Sequence, residues 1–423
     1  MDATKPLSAI AADADYDPNS MPVAKAREYI RAFLQPVSAA ERVPIRGALG
    51  RVLAEEVRST VNVPPQDNSA MDGYAVRWAD LKSDSDVALQ LIGTAFAGKP
   101  FQDATRAGQA VRIMTGGNMP AGCDTVVMQE RVKLARGQVI VPVGAQKGQN
   151  VRLAGSDIRE GALVFQRGQL VRPAELGMIA SLGIGEVSVY RRLRVAFFST
   201  GDELVSIGSA LEPGQIYDSN RYTLYAVLSR LGVDVMDMGV IRDDPAAIEV
   251  AFTQATRAAD VVITSGGVSV GEADFVKQLL AKLGDVLFWK IAMKPGRPLA
   301  YGKIGEAHFF GLPGNPVSAM VTFYQFVREA LLILMGVPEP APLPVLKAVC
   351  TTPIKKAPGR TEFQRGVLSP SSDGTWTVRS TGDQGSAILS SMSQANCFII
   401  LPEEQGNTPA GTTVDVQVLE GLI

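Results

Sequence analysis

Between about residues 193 and 336 the chain alternates strand-like and helix-like segments, and no other feature limits its fold as much. The runs 194–198, 233–238, 261–263, 286–290 and 308–310 are short and apolar, as buried strands are. Residues 220–231, 245–259, 275–283 and 315–335 carry helical patterning between and after them, and Gly232 stands where a left-handed residue would close the first helix. Such alternation predicts a mostly parallel sheet covered on both faces. Ligands of such sheets bind beyond the carboxyl ends of the strands.

The segments that follow the strands are polar and rich in glycine. Ser199-Thr-Gly-Asp-Glu203 follows the first strand. Asp218-Ser-Asn-Arg221 opens the first helix, where Asp218 or Ser219 serves equally well as an N-cap or a ligand. Arg242-Asp-Asp-Pro245 follows the second strand, and a loop from Thr264 to Asp274 follows the third. The glycines of that loop (Gly266, Gly267, Gly271) let backbone N–H groups approach an anion at the positive end of a helix. Its carboxylates, Glu272 and Asp274, suit a hard cation. Lys290, Lys294 and Arg297 come after the fourth strand, and Gly311-Leu-Pro-Gly-Asn-Pro316 leads into the last helix. A parallel sheet would gather Glu203, Asp243, Asp244 and Asp274 with Lys290, Lys294 and Arg297 on one edge. That mixture suits a phosphorylated substrate with a divalent cation, and oxygen ligands without a His/Cys cluster point to Mg2+. Taken singly, each cluster also fits a plain turn or helix cap; their coincidence at strand ends makes the case.

The rest of the chain sets bounds. A length of 423 residues exceeds one ordinary core and predicts two to four domains. A net charge of −2 gives no reason to expect nucleic acid or an anionic membrane as partner. The single histidine, His308, rules out zinc sites built on several histidines; it lies in an apolar strand and is read as structural. Cys123, Cys350 and Cys397 form no CxxC pair, which fits a reducing cytoplasm. No apolar run reaches about 18 residues, so no transmembrane helix is expected, and 320–335 reads as a core helix.

The expected domains are a flexible tail (1–20), a discontinuous mixed domain (21–58 and 145–190), an inserted small β domain (59–144), an α/β domain (191–337) and a C-terminal β-barrel (338–423). Residues 46–56 read as a second helix and 62–74 as a long loop; the inserted β unit reads as a small barrel or sandwich. Arg365 and Ser386, in the last domain, would pass as ordinary surface residues.

Taken together, these motifs resemble the molybdopterin molybdenumtransferase family, the MoeA proteins and the E domains of gephyrin. The resemblance runs in order through Asn68-Ser-Ala-Met-Asp-Gly-Tyr-Ala75, Arg112-Ile-Met-Thr-Gly116, Ser199 to Glu203, Ile216-Tyr-Asp-Ser-Asn-Arg221, Ser265 to Asp274, Lys294-Pro-Gly-Arg-Pro298 and Gly311 to Pro316. Phe363-Gln-Arg-Gly366 and Gln384-Gly-Ser386 match more weakly. The resemblance implies a MogA-like central α/β domain in an elongated, L-shaped homodimer. It implies Mg2+-dependent insertion of molybdate into adenylylated molybdopterin, with hydrolysis of the adenylyl group to AMP and release of molybdenum cofactor. It implies functional roles for Asp72, Asp157, Glu203, Asp243, Asp274, Lys290 and Lys294, with Glu203, Asp243 and Asp274 on the metal. Substrate contacts would come from Thr115, Arg152, Ser265, Gly266, Gly267, Ser269, Arg297, Pro313, Gly314, Asn315, Pro316, Ser318, Arg365 and Ser386. Asp72 and Asp157 lie outside the α/β domain and could join its site only if another domain, from this or a partner subunit, covered it. Implied partners are adenylylated molybdopterin, molybdate, molybdopterin adenylyltransferase and apo-molybdoenzymes, in the cytoplasm, with no nucleic acid and no membrane. Two other readings remain open: the adenylyltransferase itself, and a non-catalytic gephyrin-like scaffold.

Overall fold

The computed structural model describes residues 7, 10, 16–81, 84–267 and 274–419, the side chains of 274–277 excepted. The chain forms two compact units. The larger is Met1–Glu41, Gly50–Val52 and Tyr190–Ile423, and the smaller is Arg42–Leu49 and Leu53–Val189.

Helix α1 (Val23–Ala32) opens the larger unit and buries Ala26, Tyr29 and Ile30, the face its spacing predicts. It is held to the α/β region: Met21 bridges to Ile291, and Arg27 Nε donates to the Gln325 carbonyl at 2.8 Å.

The smaller unit contains β1 (Gly73–Val76), β2 (Val87–Ala95), β3 (Gln109–Ile113), β4 (Thr125–Met128), β5 (Lys133–Ala135) and β6 (Gln138–Val141). They form one open sheet in the order β4-β1-β3-β2-β6-β5, where a small barrel or sandwich was expected. A separate apolar cluster joins Ala48, Leu53 and Val57 to Phe165, Val189 and Ile179, the last on α2 (Pro173–Ser181). Residues 46–56 are not the expected helix. They make one 3-10 turn, Ile45–Ala48, and then run extended, with Leu53 bridging Val189. Gly50, at φ 73°, breaks the helical path, and the apolar residues beyond it go to the cluster instead. Within the expected loop 62–74, Asn68–Ser69 pairs with Val151–Arg152.

The larger unit carries the α/β sheet: β7 (Arg194–Thr200), β8 (Asp234–Ile241), β9 (Val261–Ser265), β10 (Asp285–Lys290), β11 (Pro298–Ile304) and β12 (Ala307–Leu312), in the order β8-β7-β9-β12-β11-β10. β7, β8, β9 and β12 are parallel. β11 was not expected; it runs antiparallel to both β12 and β10, joined to β12 through a turn at Gly305. Two reversals restore the direction of β10, so its carboxyl end lies on the same edge as those of the parallel strands. Four helices connect the sheet: α3 (Ser219–Leu231), α4 (Pro245–Ala258), α5 (Asp274–Leu283) and α6 (Pro316–Leu334, with a π turn at Phe323–Val327). Gly232 closes α3 in the left-handed conformation at φ 75°. One face of the sheet packs Ala196, Phe198 and Phe309 against Ile248 and Phe252 of α4 and Leu280 of α5. Phe252 meets Phe198 and Phe309 edge-on at 5.2 and 5.4 Å. Each such fully buried ring contributes about 1.5–3 kcal/mol by leaving water. Helix α6 is 19 residues long and apolar enough to cross a membrane by length and composition, but 72% of that window is buried inside the protein, as a core helix is.

The last region is a closed five-stranded barrel of β13 (Val345–Cys350), β14 (Thr361–Pro370), β15 (Trp376–Ser380), β16 (Cys397–Leu401) and β17 (Thr413–Val418), with a short helix α7 (Leu389–Gln394). β14 pairs with both β15 and β16 and so closes the circle. It was missed in the sequence because Glu362, Gln364 and Arg365 break the apolar pattern, yet all three are buried. Met293–Lys294 adds a short parallel pairing to Thr361 and Glu362, tying the α/β region to the barrel.

Candidate active site

The strand ends of the α/β sheet open onto a pocket of about 930 Å³. Ten residues expected at the site line it: Glu203, Asp243, Ser265, Gly266, Gly267, Pro313, Gly314, Asn315, Pro316 and Ser318. The walls meet where glycine removes side chains. A Cβ on Gly266 (φ 93°) would lie 2.5 Å from the Thr200 carbonyl oxygen, and one on Gly267 (φ 69°) 2.9 Å from Thr200 Oγ1. Backbone of the β9 loop therefore reaches the end of β7 only because these positions are glycine.

Asn220, near the start of α3, joins the two glycine-rich turns. Its Nδ2 donates to Ser265 Oγ at 2.7 Å and to the Gly314 carbonyl at 2.6 Å. Asp218 caps α3, accepting from the Arg221 N–H at 3.1 Å. Arg221 itself turns to Asp237, with Nε 2.8 Å from the carboxylate, and does not line the pocket. Asp244 caps α4 through the Ala247 N–H at 2.8 Å, whereas its neighbour Asp243 lines the pocket and donates its N–H to Asp202 Oδ1 at 3.3 Å.

Four carboxylates thus line one pocket: Asp202, Glu203, Asp218 and Asp243. Among the described residues no group of three or more His, Cys, Asp or Glu could hold a metal ion on its own. A site with one or two carboxylates, completed by substrate phosphates, is how Mg2+ is usually bound, so this oxygen-only donor set fits it.

The basic residues are placed differently from expectation. Lys290, Lys294 and Arg297 lie near the sheet edge but do not line the pocket. Lys294 Nζ pairs with the buried Glu362 at 3.5 Å, and Arg297 donates to the Asn19 carbonyl at 3.3 Å. Arg365 is not a surface residue: it is fully buried. Its side chain donates to Ser391 Oγ and to the carbonyls of Asp383, Gln384 and Gly385. Burial pulls its pKa down to about 10, against the pull of Asp383. Arg365 therefore braces the 383–385 loop. That loop does reach the pocket wall, since Asn315 Nδ2 donates to Ser386 Oγ at 3.0 Å and the Val317 N–H to the Ser386 carbonyl.

Asp72, Thr115, Arg152 and Asp157 belong to the smaller unit. There Asp72 Oδ1 accepts from both the N–H and the hydroxyl of Thr115 at 2.7 Å, and these bonds hold its carboxyl below the usual range. Arg152 and Asp157 are exposed. Ser269 and the Asp274 side chain lie outside the described residues. The sequence reading named Asp218 only as a cap or ligand and gave Asn220 and Asp202 no role; the motif around 216–221 was the available signal.

Three family models match the chain. They describe the MoeA N-terminal region (domain I and II) over residues 21–183, a probable molybdopterin binding domain over 196–332, and the MoeA C-terminal region (domain IV) over 347–419. Molybdopterin molybdenumtransferase of Haemophilus influenzae is 47% identical over 90% of this chain and 95% of its own length. The protein of the same name from a Nostoc species is 37% identical over 90% and 88%. A crystal structure of the molybdopterin biosynthesis moeA protein of Pyrococcus horikoshii OT3 superposes with a TM-score of 0.82 at 29% identity, covering 95% of this chain and all of that one. The order of the motifs, the pocket at the sheet edge and these matches agree: the chain belongs to the molybdopterin molybdenumtransferase (MoeA) family.

Proposed function

We propose that this protein is a molybdopterin molybdenumtransferase that inserts molybdate into the dithiolene of adenylylated molybdopterin, hydrolyses the adenylyl group and releases AMP and molybdenum cofactor. The observation that carries the reading is the pocket itself, where two glycine turns and four carboxylates meet at one sheet edge. Backbone N–H groups at such turns suit phosphate and molybdate oxygens. Asp243 and Glu203, with Asp274, would hold Mg2+, which would supply charge neutralisation for the pyrophosphate. Ser318 in the pocket, with Lys290, Lys294 and Arg297 at the same sheet edge, attracts the molybdate dianion. The working form is a cytoplasmic homodimer. It takes its substrate from molybdopterin adenylyltransferase and passes the product to apo-molybdoenzymes.

The test is to incubate purified protein with adenylylated molybdopterin, Mg2+ and molybdate and to follow AMP. Molybdate-dependent AMP release is the expected result. Formation of the adenylylated compound from ATP and molybdopterin would assign the chain to the preceding step, and no turnover either way would leave a scaffold. Light scattering of the same preparation gives the oligomeric state, with twice the chain mass expected.

A further inference from the structure

Among the described residues, three buried polar atoms of residues that line the pocket have no hydrogen-bond partner: Asp218 Oδ2, Asn220 Oδ1 and Thr200 Oγ1. Their residues are only 2%, 7% and 8% exposed. An unpaired buried polar atom costs roughly 1–3 kcal/mol, so three in one wall are a standing expense unless a ligand completes them.

The bonds already made decide what that ligand must offer. Asn220 Nδ2 donates to the Gly314 carbonyl, which can only accept, so the other terminal atom is the carbonyl oxygen, an acceptor. Asp218 spends Oδ1 on the Arg221 N–H and leaves Oδ2 as a second acceptor. The Thr200 hydroxyl can donate or accept. We propose that Asp218 and Asn220 are specificity residues that read the donor–donor edge of a 2-amino-4-oxopyrimidine ring, the N–H and NH2 of a pterin.

This assignment rests on the molybdopterin reading and decides which end of that substrate lies here. The adenylylated compound carries two heterocycles. The pairing edge of adenine offers one donor and one acceptor, and its acceptor would oppose one of the two oxygens. The 2-amino-4-oxopyrimidine edge offers two donors and satisfies both.

The probes are 6-hydroxymethylpterin, its 2-oxo counterpart 6-hydroxymethyllumazine, and AMP, titrated against the full chain by fluorescence or calorimetry. The wild-type protein should bind the 2-amino ring about tenfold tighter than the 2-oxo ring, the value of one charge-assisted hydrogen bond. Asp218→Asn keeps the capping oxygen but turns Oδ2 into a donor. It should bring the ratio to one or below and leave AMP affinity within about twofold. Asp218→Ser also keeps a cap but removes the second acceptor, so it should lose pterin affinity with no gain for the 2-oxo ring. An unchanged ring preference in both folded variants overturns the inference, and so does a matching loss of AMP binding. If the wild type turns over in the AMP assay yet shows no ring preference, only this inference fails. If it neither turns over nor binds either ring, the molybdopterin reading fails and takes the inference with it.

Discussion

The outer face of the barrel and the edge of the α/β sheet both bury polar side chains, with opposite outcomes. On the barrel's outer face, against α7 and the 383–385 loop, Arg365 is wholly enclosed and its guanidinium meets three carbonyls and a hydroxyl. At the sheet edge, Asp218, Asn220 and Thr200 are almost as deeply buried, and among the described residues each keeps an unpaired atom. Complete pairing makes a buried polar group part of the architecture, whereas incomplete pairing beside a cavity makes it a waiting partner. Arg365 looks like a ligand residue by motif and behaves as a strut, while Asp218 looks like a helix cap and holds an oxygen in reserve.

The comparison is open to breakage at several points. The largest expected effect is at Arg365. Arg365→Ala leaves the 383–385 carbonyls unpaired beneath their loop and should lower stability by roughly 3–5 kcal/mol in chemical denaturation. A loss below about 1 kcal/mol would mean that the pairing is not structural.

Next comes Asp243→Asn in the pocket. It should slow molybdate-dependent AMP release about a hundredfold, about 2.7 kcal/mol, most strongly at limiting Mg2+. Full activity at low Mg2+ would remove Asp243 from the site.

His308 offers a titration test of the paired class. It is buried on β12, with Nδ1 3.3 Å from the Tyr301 hydroxyl, and burial pulls its pKa from 6.5 down to about 4. The folded pKa is the lower one, so the unfolded chain takes up the proton first. Stability is then complete above pH 6.5 and falls as pH drops toward 4. Between neutral pH and pH 5 the loss should be roughly 1.5–2 kcal/mol, and the chain has no other histidine to confuse it. Denaturation curves of His308→Asn should lack this slope; an identical slope would place its source elsewhere.

A smaller effect separates the two regions by sign. Asp218→Ser keeps a helix cap and removes an unpaired buried oxygen, so the unliganded protein should be unchanged or more stable by up to about 1 kcal/mol. A loss larger than that would show Asp218 to be paired after all. Smallest is Thr115→Val in the smaller unit. It removes the hydroxyl bond to exposed Asp72, whose carboxyl should titrate closer to its ordinary value by NMR while denaturation midpoints stay put.

Much of this protein could be read without coordinates, because alternating strand and helix patterns are local. α3, α4 and α5, the parallel strands and the glycine turns follow from the spacing of apolar residues and the positions of Gly and Pro. The shared edge also followed, since parallel strands place their carboxyl ends together. β11 and β14 did not. The first is an antiparallel strand within a mostly parallel sheet, and the second buries Glu362, Gln364 and Arg365, whose burial only long-range pairing makes tolerable. Residues 46–56 failed for a related reason, since Gly50 and the pull of a distant cluster outweigh a locally helical pattern.

Sequence by itself determined the family, the order of the elements and the residue types at the site, because each is written in local pattern and motif. Only the tertiary structure decided which polar groups are satisfied. Asp218 and Arg365 are a cap and a surface residue by any local rule. Whether a buried oxygen or guanidinium finds a partner depends on chain segments tens of residues away, and no local pattern records that.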